Sequence, residues 1–457
     1  MSTSNYTQNS SYSAIKSLSK SGKLKNSEQQ KIDWMVSNMK ENKAFIYQSK
    51  NLNTKEKETL LKNFQKRYLA YRKNWHDQPR YCADNKIYGD KLKSKNIIPL
   101  CIDIELASLC DLACPHCFRQ TVATTDKIMK KELAINLINQ AGELNVPSMK
   151  FNWRGEPLLN PNIDKIINHA KKKGILETII NSNATMLTEQ MSVKLINSGL
   201  DYLIYSFDGG KKESYETMRP GRFKENKFEQ IIENIRTFNK VKKQMNSKFP
   251  RTKIQMVLTK DTRLEQKHFF NLFNEIVDDV SVKQYSERGG KLKDIDDKIK
   301  SRIKESNKKA INFKNGESEI MLDLDNTVFI SEGRLPCEQP FQRLQITYDG
   351  STSMCCYDWS SSHPVGYVDE LALKLGTKEY DSVLKKSLKK TKGFELMNLS
   401  KVKLFNNAEK KVSTIEEIWN GKDINKIRES HIKGNVSNIE ICKNCTFKDT
   451  YKWKKIT

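Results

Sequence analysis

Six short apolar runs of strand-forming residues, separated by amphipathic helical segments, fill the stretch from Ile97 to Tyr285. The runs fall at residues 100–106, 149–153, 177–181, 202–207, 253–258 and 280–284, and the helical segments at 129–144, 163–173, 188–198, 227–243 and 265–277. This element order predicts a parallel sheet joined by right-handed crossovers, with the helices packed outside it. Six units are too few to close an eight-stranded barrel, so the expected fold class is α/β, a partial (βα)6 TIM-like barrel. Its reactive face should lie at the carboxyl ends of the strands, where the loops that follow them gather.

The flanks of this core, which is expected over residues 96–290, read differently. Residues 1–95 form a basic helical N-terminal extension whose first 30 residues are polar and Ser- and Lys-rich, with no apolar region of the kind a secretory signal needs. Beyond it Ile32, Trp34, Met35 and Met39, then Leu60, Phe64, Tyr68 and Tyr71, recur at helical spacing. A partial barrel leaves a lateral opening and a first-strand edge uncovered, and this stripe is expected to cover them. A charged linker at 291–319 leads to a small α+β domain at 320–457. That domain has strand-like segments at 320–324, 327–330 and 344–348, a turn at Asp349-Gly350 and a Lys-rich insertion near 369–412.

Lys and Arg number 80 against 55 acidic residues, a formal charge of +25. Such a field attracts anions, but the basic residues run through the whole chain rather than gathering in blocks, which disfavours a dedicated nucleic-acid surface. No run approaches the roughly 18 apolar residues of a membrane helix. Seven of the ten cysteines fall in close groups, at 110/114/117, 355/356 and 442/445, a pattern that suits metal better than disulfides. A cytoplasmic location, where thiolates stay reduced, follows as the expectation.

The segment Cys110-Asp-Leu-Ala-Cys114-Pro-His-Cys117 directly follows the first predicted strand. Three thiolates on one loop suit a cubane iron–sulfur cluster that keeps one iron without a protein ligand. That open iron can be chelated by the amine and carboxylate of an amino-acid-like group, and an electron passed through the cluster can cleave the sulfonium of S-adenosylmethionine (SAM). A zinc knuckle with a borrowed fourth ligand is the competing reading of the spacing.

The C-x3-C-x2-C loop after strand one resembles the signature of the radical SAM superfamily, and further motifs follow in that family's order. Arg154-Gly155-Glu156-Pro157 resembles the GGEP motif, with Arg154 where the first Gly is usual, so only Gly155, Glu156 and Pro157 carry the implied contact to the SAM amine. Asn181-Ser-Asn183-Ala184 resembles TNG, and Ser206-Phe-Asp208-Gly209 resembles S-x-D-G, whose Ser often meets the ribose. Tyr215-x3-Arg219-x-Gly221 resembles the segment that comes next. The resemblance places His116 against the adenine and an apolar contact near Val257 or Leu258, and implies SAM-binding roles for Asn183, Ser206, Asp208 and Arg219. Arg219 has two readings, pairing with the methionine carboxylate or capping the preceding helix.

Cys337-x12-Gly350-x4-Cys355, then Cys356-Tyr-Asp358, Val365-Gly-Tyr-Val, Ser413-Thr-Ile-Glu-Glu-Ile-Trp419 and Cys442-x2-Cys445, resemble the SPASM domain, which houses auxiliary iron–sulfur clusters. No cysteine follows Cys445, which matches the shorter "twitch" form with one auxiliary cluster. Cys337, Cys355, Cys442 and Cys445 would close that cubane, and a four-cysteine zinc site is the alternative. Cys356 is a spare that could replace Cys355 or stay a buried thiol, while Cys82 and Cys101 read as packed apolar residues.

The resemblance implies an oxidoreductase or maturase that acts on a peptide, a protein or a sugar-like molecule and draws electrons from a donor such as flavodoxin or ferredoxin. Asp358 could accept a substrate proton, though a role bonding amides in its own turn is the plainer reading. The rival from another class is a zinc-stabilised, basic nucleic-acid-binding protein.

Overall fold

A computed structural model describes residues 27–117, 119, 124–259, 262–284, 320–322, 327–359, 361, 363–374, 411–443, 445 and 447–456. The expected linker at 291–319 and nearly all of the insertion near 369–412 lie outside the described residues, as do residues 1–26.

Helices α1 (Ser27–Ser37), α2 (Lys43–Ser49) and α3 (Thr54–Asp84) come first, and a short helix at Asp90–Ser94 leads into the core. The core then runs β1 (Cys101–Ile104), α4 (Lys131–Glu143), β2 (Ser148–Lys150), α5 (Ile163–Lys172), β3 (Glu177–Ser182), α6 (Glu189–Ser198) and β4 (Tyr202–Ser206). It continues with α7 (Lys212–Met218), α8 (Phe228–Gln244), β5 (Arg251–Leu258), α9 (Gln266–Phe273) and β6 (Asp279–Gln284). Strands β1 to β6 are neighbours in chain order and all pair in parallel, which is the expected (βα)6 array. The sequence dictates these elements locally. In β5 the side chains alternate strictly, and Thr252, Ile254, Met256 and Leu258 turn inward. On α8, Ile231, Ile235 and Phe238 form the buried stripe. Helix α6 opens on the Thr188 hydroxyl, which accepts from Met191 N, and closes on Gly199 in the left-handed conformation.

The N-terminal helices do pack on the core, but at a different place from the one expected. Met35, Met39, Phe45, Phe64, Tyr68 and Tyr71 bury themselves against Leu100, Leu176 and Phe249. Leu100 and Leu176 immediately precede β1 and β3, and Phe249 lies two residues before β5, so the stripe seals the amino-terminal end of the sheet. Polar groups fix the seal. Lys31 lies 2.7 Å from the carboxylate of buried Glu177, at the start of β3, and the Tyr68 and Tyr71 hydroxyls each donate to it at 3.1 Å. Burial alone would raise the Glu177 pKa, yet Lys31 and Arg72 outweigh it and hold the carboxyl below its usual range. Asn42 donates to Leu176 O and Asp201, and Asp201 pairs with fully buried Lys171 at 2.7 Å.

The exposed edge of β1 is covered by the C-terminal residues instead. Strands β7 (Ile320–Leu322) and β8 (Val328–Arg334) precede β9 (Arg343–Ile346), which pairs in parallel with β1. β10 (Ser351–Ser353) and β11 (Pro364–Tyr367) follow antiparallel, giving one nine-stranded sheet in the order β11-β10-β9-β1-β2-β3-β4-β5-β6. Part of the C-terminal segment is therefore an extension of the core sheet. A register of side chains locks the joint: Arg343 donates to Asp103 at 3.0 Å, one strand away. The Asp349-Gly350 turn joins β9 to β10, with Gly350 at φ +95°. Helices α10 (Ile415–Asn420) and α11 (Lys422–Ile432) follow, the first opening on a Thr414–Glu417 capping box. Strand β12 (Tyr451–Ile456), which the sequence reading did not anticipate, pairs antiparallel with β8. Cys82 and Cys101 are buried, as expected of packing residues.

Candidate active site at the carboxyl ends of the strands

The chain leaves the barrel after Leu106 and returns at Met129, whose N–H donates to Leu106 O at 2.9 Å, while Ala107 and Ile128 form an antiparallel bridge. The Ser108 hydroxyl donates across the neck to Thr125 O. Cys110, Cys114 and Cys117 lie on the excursion this neck closes, and two other segments strap it down. In the Gly-Glu-Pro segment after β2, Glu156 N donates to Leu109 O at 2.9 Å. A Cβ on Gly155 would stand 2.3 Å from both Ala107 O and Leu109 O, so only glycine lets the two backbones meet. The Arg219-Pro220-Gly221 segment after α7 supplies the second strap: Ala113 N donates to Pro220 O and Arg222 N to Asp111 O, each at 2.8 Å. A Cβ on Gly221 would lie 1.7 Å from Lys224 O.

Three buried or half-buried carboxylates organise the loop. Glu156 accepts from Leu158 N (3.1 Å), the Ser182 hydroxyl (2.8 Å) and Asn183 N (2.7 Å), and burial pushes its pKa up to about 7. Glu156 also caps the single turn that starts at Pro157. Asn183 then donates through its side chain to Asp111 at 2.8 Å, and Thr185 donates to the other oxygen of Asp111. Asp208 is fully buried and lies 2.6 Å from Arg219 Nη2 and 3.1 Å from His116 Nε2, with Val257 N donating to it at 2.7 Å. Burial would raise the Asp208 pKa, but Arg219 and His116 bring it down to about 2. Arg219 ends α7 as its C-cap, the backbone N–H donating to Tyr215 O at 2.8 Å, while its side chain meets Asp208. His116 is held by the same carboxylate, and Ser206 closes β4, half-buried.

The motif residues therefore converge at one end of the sheet, as their order along the chain suggested. Among the described residues, no three Cys, His, Asp or Glu side chains close on a common point as metal ligands without the group they would hold. The donor chemistry fits a soft metal cluster. Burial raises Cys110 to about 12 and Cys114 to about 11, values for neutral thiols that metal binding would deprotonate. Polar atoms also stand unused at the same place: His116 Nδ1, Asn181 Oδ1 and Arg219 Nε are buried with no hydrogen-bond partner among the described residues.

The second cysteine set is assembled from three segments. Cys337, Cys355, Cys442 and Cys445 are all buried. Burial raises Cys337 far above the usual thiol range, and the Cys445 and Cys442 sulfurs add to the rise. Cys355 senses Cys337 in turn, and its sulfur accepts from Tyr357 N at 3.3 Å. Cys356 lies beside Cys355, whose thiol its side chain hydrogen-bonds, and stands 3.7 Å from Gln339 Oε1. Asp358 is buried and accepts from the Ser353 hydroxyl (2.7 Å) and His363 N (3.0 Å), which engages it in its own turn.

Sequence reasoning missed Asp111, Glu105 and the use made of Arg154. Arg154 forms a two-point pair with Glu105, Nε to Oε1 at 2.6 Å and Nη2 to Oε2 at 2.7 Å, and both residues are buried. Its position in place of a glycine was the available signal.

Residues 104–272 match the Radical SAM superfamily. This span is a radical SAM domain, which makes the class an enzyme class. Among curated proteins, the chain is 32% identical over 112 residues to a probable GTP 3′,8-cyclase of Methanothermobacter marburgensis, a match covering 24% of this chain and 36% of that protein. It is 30% identical over 131 residues to an AdoMet-dependent heme synthase of Methanosarcina barkeri, covering 27% and 36%. The chain thus spans 36% of the length of each of these relatives. The solved structure of Streptococcus suis SuiB bound to the precursor peptide SuiA overlays with a TM-score of 0.43 at 19% identity, covering 68% of this chain and 66% of that one. Among the described residues no helix is long and apolar enough to cross a membrane.

Proposed function

We propose that this chain reductively cleaves SAM and uses the resulting radical to take a hydrogen atom from a peptide or sugar-like substrate. The observation that carries the reading is the strapped cysteine loop at the carboxyl end of β1, held from one side by Gly155-Glu156 and from the other by Pro220-Gly221. Cys110, Cys114 and Cys117 would hold a [4Fe–4S] cluster. With SAM on its open iron and one electron from a flavodoxin- or ferredoxin-like donor, that group supplies methionine and a 5′-deoxyadenosyl radical.

The chain's own residues bind and orient. Glu156 is buried and already fixes the turn that carries its neighbours, so the backbone of Gly155, Glu156 and Pro157 presents the amine contact while the carboxylate holds the loop rigid. Arg219 and His116 share Asp208, which leaves one nitrogen of each for the bound SAM. Asn183 and Ser206 complete the set at the ends of β3 and β4.

Cys337, Cys355, Cys442 and Cys445 would hold a second, fully ligated cluster able to pass the substrate electron outward. All four thiols are buried, and Cys337 lies within electrostatic reach of the other three, which supports this reading. The test is anaerobic purification followed by assay of 5′-deoxyadenosine with SAM and a chemical reductant. A brown protein that forms it supports the reading, and a colourless zinc protein that forms none overturns it.

A further inference from the structure

Residues 153–156 face two ways. Gly155 and Glu156 lie against the first cysteine loop, as described, while the two residues before them reach toward the second set. The Trp153 indole N–H donates to Cys356 O at 2.9 Å, and Arg154 Nη1 donates to Trp359 O at 3.0 Å. These two carbonyls bracket the turn that follows Cys355, and within that turn Asp358 N donates to Cys355 O while Tyr357 N donates to the Cys355 sulfur. The turn is therefore hung at both ends from a segment of the radical SAM domain. The Trp153 and Trp359 rings sit 6.4 Å apart, and the Arg154 guanidinium lies 4.6 Å from the Trp153 ring.

Arg154 is fixed from behind by its two bonds to Glu105, the residue that follows β1. Glu105 also accepts from Tyr348 N at 3.2 Å, at the end of the β9 hairpin. One buried ion pair thus touches the end of β1, the end of β2, the hairpin and the cysteine turn. A planar guanidinium with five donors can make these contacts together, whereas a lysine ammonium lacks the fork and a glycine leaves Glu105 buried without its cation.

We propose that Arg154 is a positioning residue for the second metal centre, fixing the 355–359 turn so that the Cys355 thiolate reaches Cys337, Cys442 and Cys445. The inference rests on the reading that those four cysteines hold a metal. It assigns a task to the residue that stands where the glycine of the related motif would be. A hydrogen-bonded outer shell of this kind typically governs metal retention by roughly ten- to a hundredfold.

The test uses the full-length chain with Cys110, Cys114 and Cys117 all replaced by Ala, so that metal and spectrum report on the second set alone. Into it goes the pair Arg154→Gly and Glu105→Gln, which removes the bolt without leaving a buried charge unpaired. The expected result is metal retention against a chelator weakened roughly tenfold or more, with a cooperative melt preserved. Arg154→Lys with Glu105 intact should restore part of the retention. A pair variant that keeps its metal with the parent's spectrum overturns the proposal. Trp153→Phe provides an independent reading, because it leaves the ion pair in place and removes the donor to Cys356 O while keeping an aromatic ring beside Arg154 and Trp359. Its second-centre spectrum must shift, and an unchanged one counts against the proposal even if the pair variant fails to fold. If the triple-Ala parent carries zinc, the iron–sulfur reading falls, and the proposal is then decided by zinc retention and by the visible spectrum after cobalt exchange. A parent that binds no metal overturns both.

Discussion

Cys110, Cys114 and Cys117 come from eight consecutive residues of one loop, whereas Cys337, Cys355, Cys442 and Cys445 are drawn from three segments that span 445 − 337 = 108 positions. The first set is close together in any conformation, and folding only has to shape it. The neck at residues 107 and 128 and the two glycine straps do that work. The second set does not exist until β9 has paired with β1 and the residues preceding β12 have come alongside Cys337. A metal held there would therefore include the loop-closure cost of the whole C-terminal segment and would contribute directly to that segment's folding. The lesson is that a local motif can be read from its own spacing, while a set of long-range parts could be grouped in advance only through its resemblance to a known cysteine pattern.

The strongest way to break this comparison is to remove the first set. Replacing Cys110, Cys114 and Cys117 together by Ala should bring 5′-deoxyadenosine formation down to the level of a protein-free control, while the metal of the second set stays bound. A variant that still forms the product would mean that the loop is not the SAM-cleaving centre. The next largest effect is on metal stoichiometry. Two cubanes correspond to about eight irons per chain, and Cys337→Ala with Cys442→Ala should lower the count to about four. If about four irons and about one zinc are found before any substitution, the second set is a zinc site.

What could be read ahead of the structure follows the same division. The barrel was legible because alternation at period two and period 3.6 is written in strands such as β5 and helices such as α8, where burial follows the pattern residue by residue. The first site was legible because all but one of its motifs follow a strand, and strand ends meet in this fold. The position of the N-terminal cover was not. Its apolar stripe was plain, but the acceptor surface is formed by Leu100, Leu176 and Phe249, which are brought together only by the sheet. Nor did anything local say that Arg343 and Leu344 would find β1, since parallel pairing between residues some 240 apart leaves no trace in either strand. Strand β12 was missed for the same reason: three lysines and a Trp in six residues read as a tail until β8 is there to pair with it.

A glycine pair sharpens the contrast at the level of packing. Gly155→Ala forces a methyl against two backbone carbonyls of the first loop's neck, and backbone cannot yield as a flexible side chain can. A loss of about 3 kcal/mol is expected, at the upper end of ordinary overpacking. Gly333→Ala, in β8 of the second sheet, meets nothing within 4 Å and should change stability by no more than about 0.5 kcal/mol. Denaturant midpoints of the two variants measure the difference. Equal midpoints would show that the Gly155 strap is not tight, and with it would go the argument that the first loop is shaped by backbone contact.

The smallest effect expected is a pH dependence that carries opposite signs in the two regions. Asp208 beside the first loop has a folded-state pKa of about 2 against an ordinary 3.8, because Arg219 and His116 outweigh its burial. A depressed acid contributes stability that is fully present above about pH 4 and is lost as pH falls through about 2, a difference of roughly 2 kcal/mol for this shift. Asp349, in the turn between β9 and β10, goes the other way. Burial raises its pKa from the ordinary 3.8, despite the bonds it accepts from Thr347 and Ser351 N. The folded state then keeps a proton that the unfolded chain has already released, so Asp349 costs stability as pH rises above its ordinary value. Urea unfolding between pH 7 and pH 2.5 separates the two. Asp208→Asn should flatten the acid limb of the stability curve, and Asp349→Asn should steepen it relative to the parent. Curves that stay parallel to the parent for Asp208→Asn would mean that its carboxylate is not the paired, ionised group on which the geometry of Arg219 and His116 rests.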